Sequence, residues 1–180
     1  MFDLLTYDNE GRPRLTVTVE NKTPTLAVFT PQNGFPPTTN YATRDVRGIM
    51  PVLDFDSSTS ESVYFHGIMP KQYQGNGMTA YIHFTSDATS GDVDWDLSFD
   101  AILAEGIDLD SAHSFSHTVS SDDNVVSSTS GKVTIATMSI TTQQSDGLVA
   151  GDMFLLKLSR DIADTASGDA NFLALELRGI

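Results

Sequence analysis

Residues 92–101 read DVDWDLSFDA. Val93, Trp95, Leu97, Phe99 and Ala101 fall on one side of a period-2 pattern, and Asp92, Asp94, Asp96, Ser98 and Asp100 fall on the other. This alternation predicts a β-strand with one face in a core and the other toward water. A slip of one residue would turn the carboxylates inward, so the register is strongly specified. A sheet with one wet face belongs to an antiparallel sandwich or barrel rather than to a doubly wound parallel sheet. Val93, Trp95, Leu97 and Phe99 are therefore expected in the core.

Outward from this stretch, short strand patterns alternate with turn signals. Upstream they cover residues 52–56, 61–67 and 78–84; downstream, residues 113–119 (weakly), 132–141, 152–160 and 170–178. In the last segment Asn171, Leu173, Leu175 and Leu177 share one face, with Leu173 and Leu175 expected in the core; Ala170, Phe172, Ala174 and Glu176 share the other. Both faces are largely apolar, which predicts a central strand or one beneath a subunit contact. The expected fold is all-β: a jelly-roll-like antiparallel sandwich of about eight strands over residues 50–180.

The N-terminal quarter follows a different pattern. Residues 1–13 read as an irregular lead-in. Residues 14–20 alternate, residues 21–24 are a turn cluster and residues 25–30 are apolar, which together predict a hairpin. Residues 31–49 hold prolines at 31, 36 and 37 and no periodicity, the pattern of an extended arm. Phe35, Tyr41 and Ile49 would anchor this arm on a partner, with Arg44 and Arg47 pairing acidic groups there. The expected division is therefore a hairpin and docking arm at 1–49 and a sandwich at 50–180 that folds without it.

The net charge of −14 argues against phosphate-mediated nucleic-acid binding. Charge is uneven: residues 1–71 carry a net of −2 and residues 72–180 a net of −12. The near-neutral end would dock and the acidic end would face solvent. No apolar run reaches membrane-spanning length, and the start lacks the pattern of a signal peptide. With no cysteine, disulfides and thiolate sites are excluded.

No catalytic constellation stands out, and no catalytic residue, cofactor or metal is expected. The Asp92, Asp94 and Asp96 stripe is extended rather than looped, and Asp108, Asp110, Asp122 and Asp123 lack calcium-loop spacing. His113 and His117 are four apart in a segment that reads as strand. No pair of acids is singled out for glycoside cleavage. Tyr64, Tyr73, Tyr81 and Trp95 offer an alternative reading as a sugar-binding platform, although packing explains them as well.

The C-terminal stretch AGDMFLLKLSRDIADTASGDANFLALELRGI (150–180), with VLDFDSSTSESVYFHGIMP (52–70) and MTAYIHFTSDATSGDVDWDLSFDAI (78–102), resembles single-domain β-jelly-roll proteins of tailed-bacteriophage virions, in particular capsid decoration (cement) proteins. The resemblance covers residues 50–180. It implies a structural, non-enzymatic protein made in the host cytoplasm and placed on the virion surface. It also implies a homotrimer that binds and stabilises the major capsid protein lattice; the alternative is a tail-fibre or baseplate carbohydrate-binding module. In that segment Arg160 and Asp161 would tie the last crossing to the sheet, and Asp152 and Asp169 would hold turns.

Overall fold

The computed structural model describes residues 4–7, 10, 12–16, 23–111 and 113–180, with the backbone alone for 4–7 and 13–16. Twelve strands follow in chain order: β1 (Leu4–Tyr7), β2 (Pro13–Thr16), β3 (Thr25–Phe29), β4 (Thr43–Arg47), β5 (Met50–Phe55), β6 (Ser62–Ile68), β7 (Met78–Ser86), β8 (Asp94–Ile102), β9 (Thr118–Ser121), β10 (Thr134–Ile140), β11 (Met153–Asp161) and β12 (Ala170–Gly179). Sheet 1 runs β10-β7-β12-β5-β4, with β3 also on β12; sheet 2 runs β6-β11-β8-β9. Every ladder is antiparallel.

Strands β5 to β12 form an eight-stranded jelly roll. The order β10-β7-β12-β5 faces β6-β11-β8-β9, the arrangement of two interlocked Greek keys. The inner faces meet on aromatic rings. Trp95 of β8 lies edge-on to Phe55 of β5 and Phe84 of β7, with centroids at 5.0 and 5.5 Å. Val93, Trp95, Leu97 and Phe99 are all fully buried, as their alternation predicts. Among the described residues, Trp95 Nε1 is the one buried side-chain polar atom without a hydrogen-bond partner. Such an orphan costs about 1–3 kcal/mol, which the packing of the ring must exceed.

The wet face of residues 92–101 is only partly wet. Ser98 and Asp100 are buried, because the crossing from β8 to β9 lies over them. His113 Nδ1 meets Asp100 Oδ2 at 2.6 Å, and Ser98 and Thr118 hydroxyls bond at 3.1 Å. The weak strand expected at 113–119 is shorter: residues 113–117 lie outside the ladder and β9 begins at Thr118.

β12 is central, as its two apolar faces imply. It pairs β7 on one side; on the other, residues 170–172 pair β5 and residues 175–178 pair β3. Its burial does not follow one phase. Ala170 and Phe172 point into the core, then Leu175 and Leu177 do so. The register shifts between Phe172 and Ala174, so Leu173 is the extra residue of a bulge and is half-buried rather than core. That corrects the expectation for Leu173 and keeps the one for Leu175.

The N-terminal expectations need more revision. β2 pairs with β1, which lies within the residues expected to be irregular, and β3 pairs with β12. Residues 17–20 of the expected hairpin strand lie outside the described residues. Leu26 and Phe29 sit in the core, with the Phe29 ring 5.1 Å from Phe65. β4 pairs β5 along its length. The boundary at 49/50 is therefore absent: β3 and β4 are strands of sheet 1. β4 reads as part of an arm in sequence because TRDVR has almost no apolar face.

The last crossing is organised by Arg160, which is fully buried. Its Nε and NH2 donate to the two oxygens of Asp164 at 2.8 and 3.1 Å. NH1 donates to the carbonyls of Phe55 and Gly168, and NH2 to that of Ala166. The planar guanidinium thus ties residues 164–168 to β5. The acid partner is Asp164 rather than Asp161, which instead accepts from Ala163 N at 2.9 Å. Asp152 accepts from Val149 N, as a turn residue should. Asp169 reaches further, to Ser57 N at 3.0 Å.

Candidate docking surfaces

The five residues expected to dock divide into three groups. Phe35 and Tyr41 lie along the edge of sheet 2. Phe35 exchanges two backbone hydrogen bonds with Tyr64, each 3.0 Å, and the 40–42 segment bonds to Ser62 on both sides. Residues 35–42 therefore run beside β6 as an irregular extra strand. The Phe35 ring leans on Tyr64 and His66, with centroids at 5.7 and 5.9 Å. Phe35 and Tyr41 keep 38% and 44% of their surface, so each is partly spent on its own sandwich. Arg44 belongs to the same group: its NH2 donates to Gly34 O at 2.7 Å, beside a shallow cavity of about 320 Å³ that both aromatic residues line.

Arg47 turns to the outer face of sheet 1. It pairs with Asp87 and donates to Asn171 Oδ1 and Ser130 Oγ, the last at 2.7 Å. Asn171 Nδ2 in turn donates to Asp54 Oδ1. Arg47 thus meets an acid of its own chain, where sequence reasoning had put a partner's. Burial, then the nearby charge of Asp169, pushes the Asp54 carboxyl up to about 6.

A folded-state value above the unfolded one means that the protonated form is favoured by folding. The contribution is complete below the unfolded value near 3.8 and is lost as pH rises through about 6. Asp54 is half-exposed, so screening reduces the effect to about 1 kcal/mol. In urea titrations between those limits, Asp54→Asn should remove this share of the decline in stability with rising pH. An unchanged slope would show that Asp54 ionises at an ordinary pH in the folded protein.

Ile49 is the third group. β4 and β5 form a hairpin with Arg47 opposite Met50, and Gly48 takes φ +67° in the two-residue turn. The backbone holds Ile49 away from the core: it is 94% exposed, flanked by Val46 at 61% and Met50 at 53%. An apolar tip of this kind has no packing role within the chain.

A groove of about 390 Å³ lies on the outer face of sheet 2, lined by Phe35, Tyr64, His66, Leu109, His113, Met153 and Leu155 among others. Sequence reasoning missed it, because the β8–β9 crossing that walls it has no periodicity. Phe115 of that crossing stacks on Tyr64, 8° from parallel with centroids at 5.7 Å. Tyr64 therefore packs between Phe35 and Phe115 rather than offering an open ring. Tyr73 is buried and its hydroxyl accepts from Gly77 N at 3.3 Å. Tyr81 has Arg178 over its ring at 4.7 Å. The four aromatic residues proposed as a sugar platform are not assembled on one surface.

The carboxylates of the 92–96 stripe have hydrogen-bond partners of their own. Asp92 accepts from Thr165, Asp94 from Asp123 N and Asp96 from Ser120. Burial and the neighbouring Asp92, Asp122 and Asp164 charges raise the Asp94 carboxyl above its ordinary range, although the Asp123 amide opposes them. Among the described residues no cluster of three or more His, Asp or Glu side chains is placed to hold a cation. No helix among them is long and apolar enough to cross a membrane.

No protein-family model matches the chain, and no curated protein matches it. Matching solved structures include a glycoside hydrolase family 43 arabinoxylan arabinofuranohydrolase from Bacillus subtilis, solved in complex with cellotetraose. The TM-score is 0.44 and the identity 12%, over 99% of this chain and 33% of that one. The chain thus spans about a third of that protein's length.

Proposed function

We propose that this protein is a structural component of a bacteriophage virion that decorates the capsid by binding the outer surface of the major capsid protein lattice. The resemblance of residues 50–180 to capsid decoration proteins supplies the context. The observation that carries the mode of binding is the apolar tip formed by Val46, Ile49 and Met50, which the fold leaves to solvent. In this reading docking passes from a free arm to the β4–β5 hairpin at one edge of sheet 1. Phe35 and Tyr41 instead tie residues 35–42 to β6 of sheet 2.

Burying a side chain such as Ile49 contributes about 1.5–3 kcal/mol. This is modest for one copy, but repeated over a shell it opposes outward pressure at every site. Purified protein should bind preformed capsids in stoichiometric numbers and raise their melting temperature. Ile49→Asp should weaken that binding by about tenfold to a hundredfold while leaving the isolated protein's melting unchanged. Binding confined to a tail structure would overturn the proposal. Unchanged affinity of the variant would move the docking surface elsewhere.

A further inference from the structure

We infer that the groove on the outer face of sheet 2 docks a partner polypeptide segment in which a tyrosine is flanked by lysine or arginine. The strand register fixes its shape. Met153 and Leu155 of β11 form the floor, with Ile68 and Ile102 opposite Met153, and His66 and Asp100 opposite Leu155. One wall is made of rings: Tyr64 and His66, with Phe35 leaning on both. The other wall is Ile102 and, from the β8–β9 crossing, Leu109 and His113. The Tyr64–Phe115 stack joins β6 to the crossing and closes one end. The other end opens toward Ile68, which is exposed. A trough of about 390 Å³ is within the size range of ligand pockets.

The lining selects a ring with one donor. His113 is pinned by the 2.6 Å contact between its Nδ1 and Asp100 Oδ2. In the neutral imidazole Nδ1 donates to the carboxylate, and Nε2 is left as an acceptor in an otherwise apolar wall. A tyrosine side chain meets both demands, since its ring packs on the aromatic wall and its hydroxyl donates to the imidazole.

The surroundings show what carries that ring. Apolar surface continues past the open end, where Ile68, Leu103 and Val149 are exposed. A small molecule in the trough would leave them uncovered, whereas a polypeptide running out of it covers them. Charge sets the flanking residues. The crossing, residues 103–117, carries Glu105, Asp108 and Asp110 and no lysine or arginine. All three acids are exposed, and none forms an ion pair among the described residues. On the outward rows of β6, β8 and β11 the one lysine or arginine is Lys157, level with Tyr64 at the closed end. Basic residues beside the tyrosine complement this rim.

This surface lies on sheet 2 and the Ile49 tip on an edge of sheet 1, so the inference stands apart from the decoration reading and its test needs no capsid. A blocked Gly-Lys-Tyr-Lys-Gly peptide is titrated into the isotope-labelled full chain, and amide NMR shifts are followed. Saturable shifts should fall at Ile102, Met153 and Leu155. Replacing the peptide's tyrosine by alanine should weaken binding by about tenfold to a hundredfold, and replacing it by phenylalanine by about threefold. Met153→Lys, at an exposed position, should weaken the tyrosine peptide by about tenfold with melting unchanged. Should that variant misfold, the Glu105→Gln/Asp108→Asn/Asp110→Asn variant of the crossing decides: binding to it should lose its dependence on salt, and a retained dependence would overturn the inference. An absence of saturable shifts, or an alanine or phenylalanine peptide that binds as tightly as the tyrosine one, would also overturn it. So would the same shifts from p-cresol alone at equal concentration, which would assign the trough to a small molecule. Shifts on concentrating the chain without peptide would assign it to a second copy, with the same consequence.

Discussion

A chain cut to begin at residue 49 should fail to fold as a cooperative unit. The cut removes β3 and β4, and with them Leu26, Phe29 and Ala42 from the core. Phe29 alone leaves a gap between Phe65 and Phe154, to which its ring lies at 5.1 and 6.2 Å. Losing Leu26 and Phe29 costs about 1.5–3 kcal/mol each. The cut also opens the β12 edge at residues 175–178, strips residues 35–42 from β6 and unpairs Asp54 and Asp87 from their Arg47 network. The total exceeds about 5 kcal/mol, within the whole stability of a domain this size. A chain beginning at residue 23 keeps all of these contacts and should melt close to the full-length protein. Fluorescence of Trp95, the single tryptophan, reports both outcomes. A soluble 49–180 fragment with a sharp transition near that of the full chain would show that the first sheet closes without β3.

Arg160→Ala should destabilise the protein by about 4 kcal/mol. The side chain is fully buried, and its removal leaves the Asp164 carboxylate, itself 1% exposed, without a counter-charge. The carbonyls of Phe55, Ala166 and Gly168 lose their donors in the same step. Asp164→Asn keeps the guanidinium on those carbonyls and should cost less, about 2 kcal/mol. The gap between the two variants in urea unfolding measures the share held by backbone tethering. If Arg160→Ala costs less than about 1 kcal/mol, water must replace the guanidinium and the crossing does not depend on it.

How much of this was legible in the sequence depends on periodicity. Strand β8 was legible because Val93, Trp95, Leu97 and Phe99 alternate with polar residues over a full strand; β7, β10 and β11 carry the same signal, while β9 carries it weakly and begins later than expected. The bulge at Leu173 was not, because every phase of an apolar strand looks buried and one inserted residue leaves no mark. Burial of Asp100 was hidden by the unpatterned crossing that carries His113. Among the expected docking residues, Ile49 was read as an anchor of an extended arm, whereas it sits in the two-residue turn between β4 and β5, which Arg47 and Met50 close. Phe35 and Tyr41 were misplaced because backbone bonds hold them to Tyr64 and Ser62, and main-chain pairing writes nothing into side-chain order. Arg47 was assigned to a partner because its own acid, Asp87, lies forty residues away in the chain.

The position of β12 also governs how the molecule comes into being. It comes after the other eleven strands in sequence, yet it lies between β7 on one side and β5 and β3 on the other. During synthesis sheet 1 must wait as separate pieces, with β5 and β7 presenting unpaired inner edges, until residues 170–179 emerge. Pairing across such sequence separations is slow, on the order of milliseconds to seconds. A nascent chain stalled before residue 170 therefore exposes the edges most prone to capture by another strand, and emergence of residues 170–179 is the event that commits the sandwich to close.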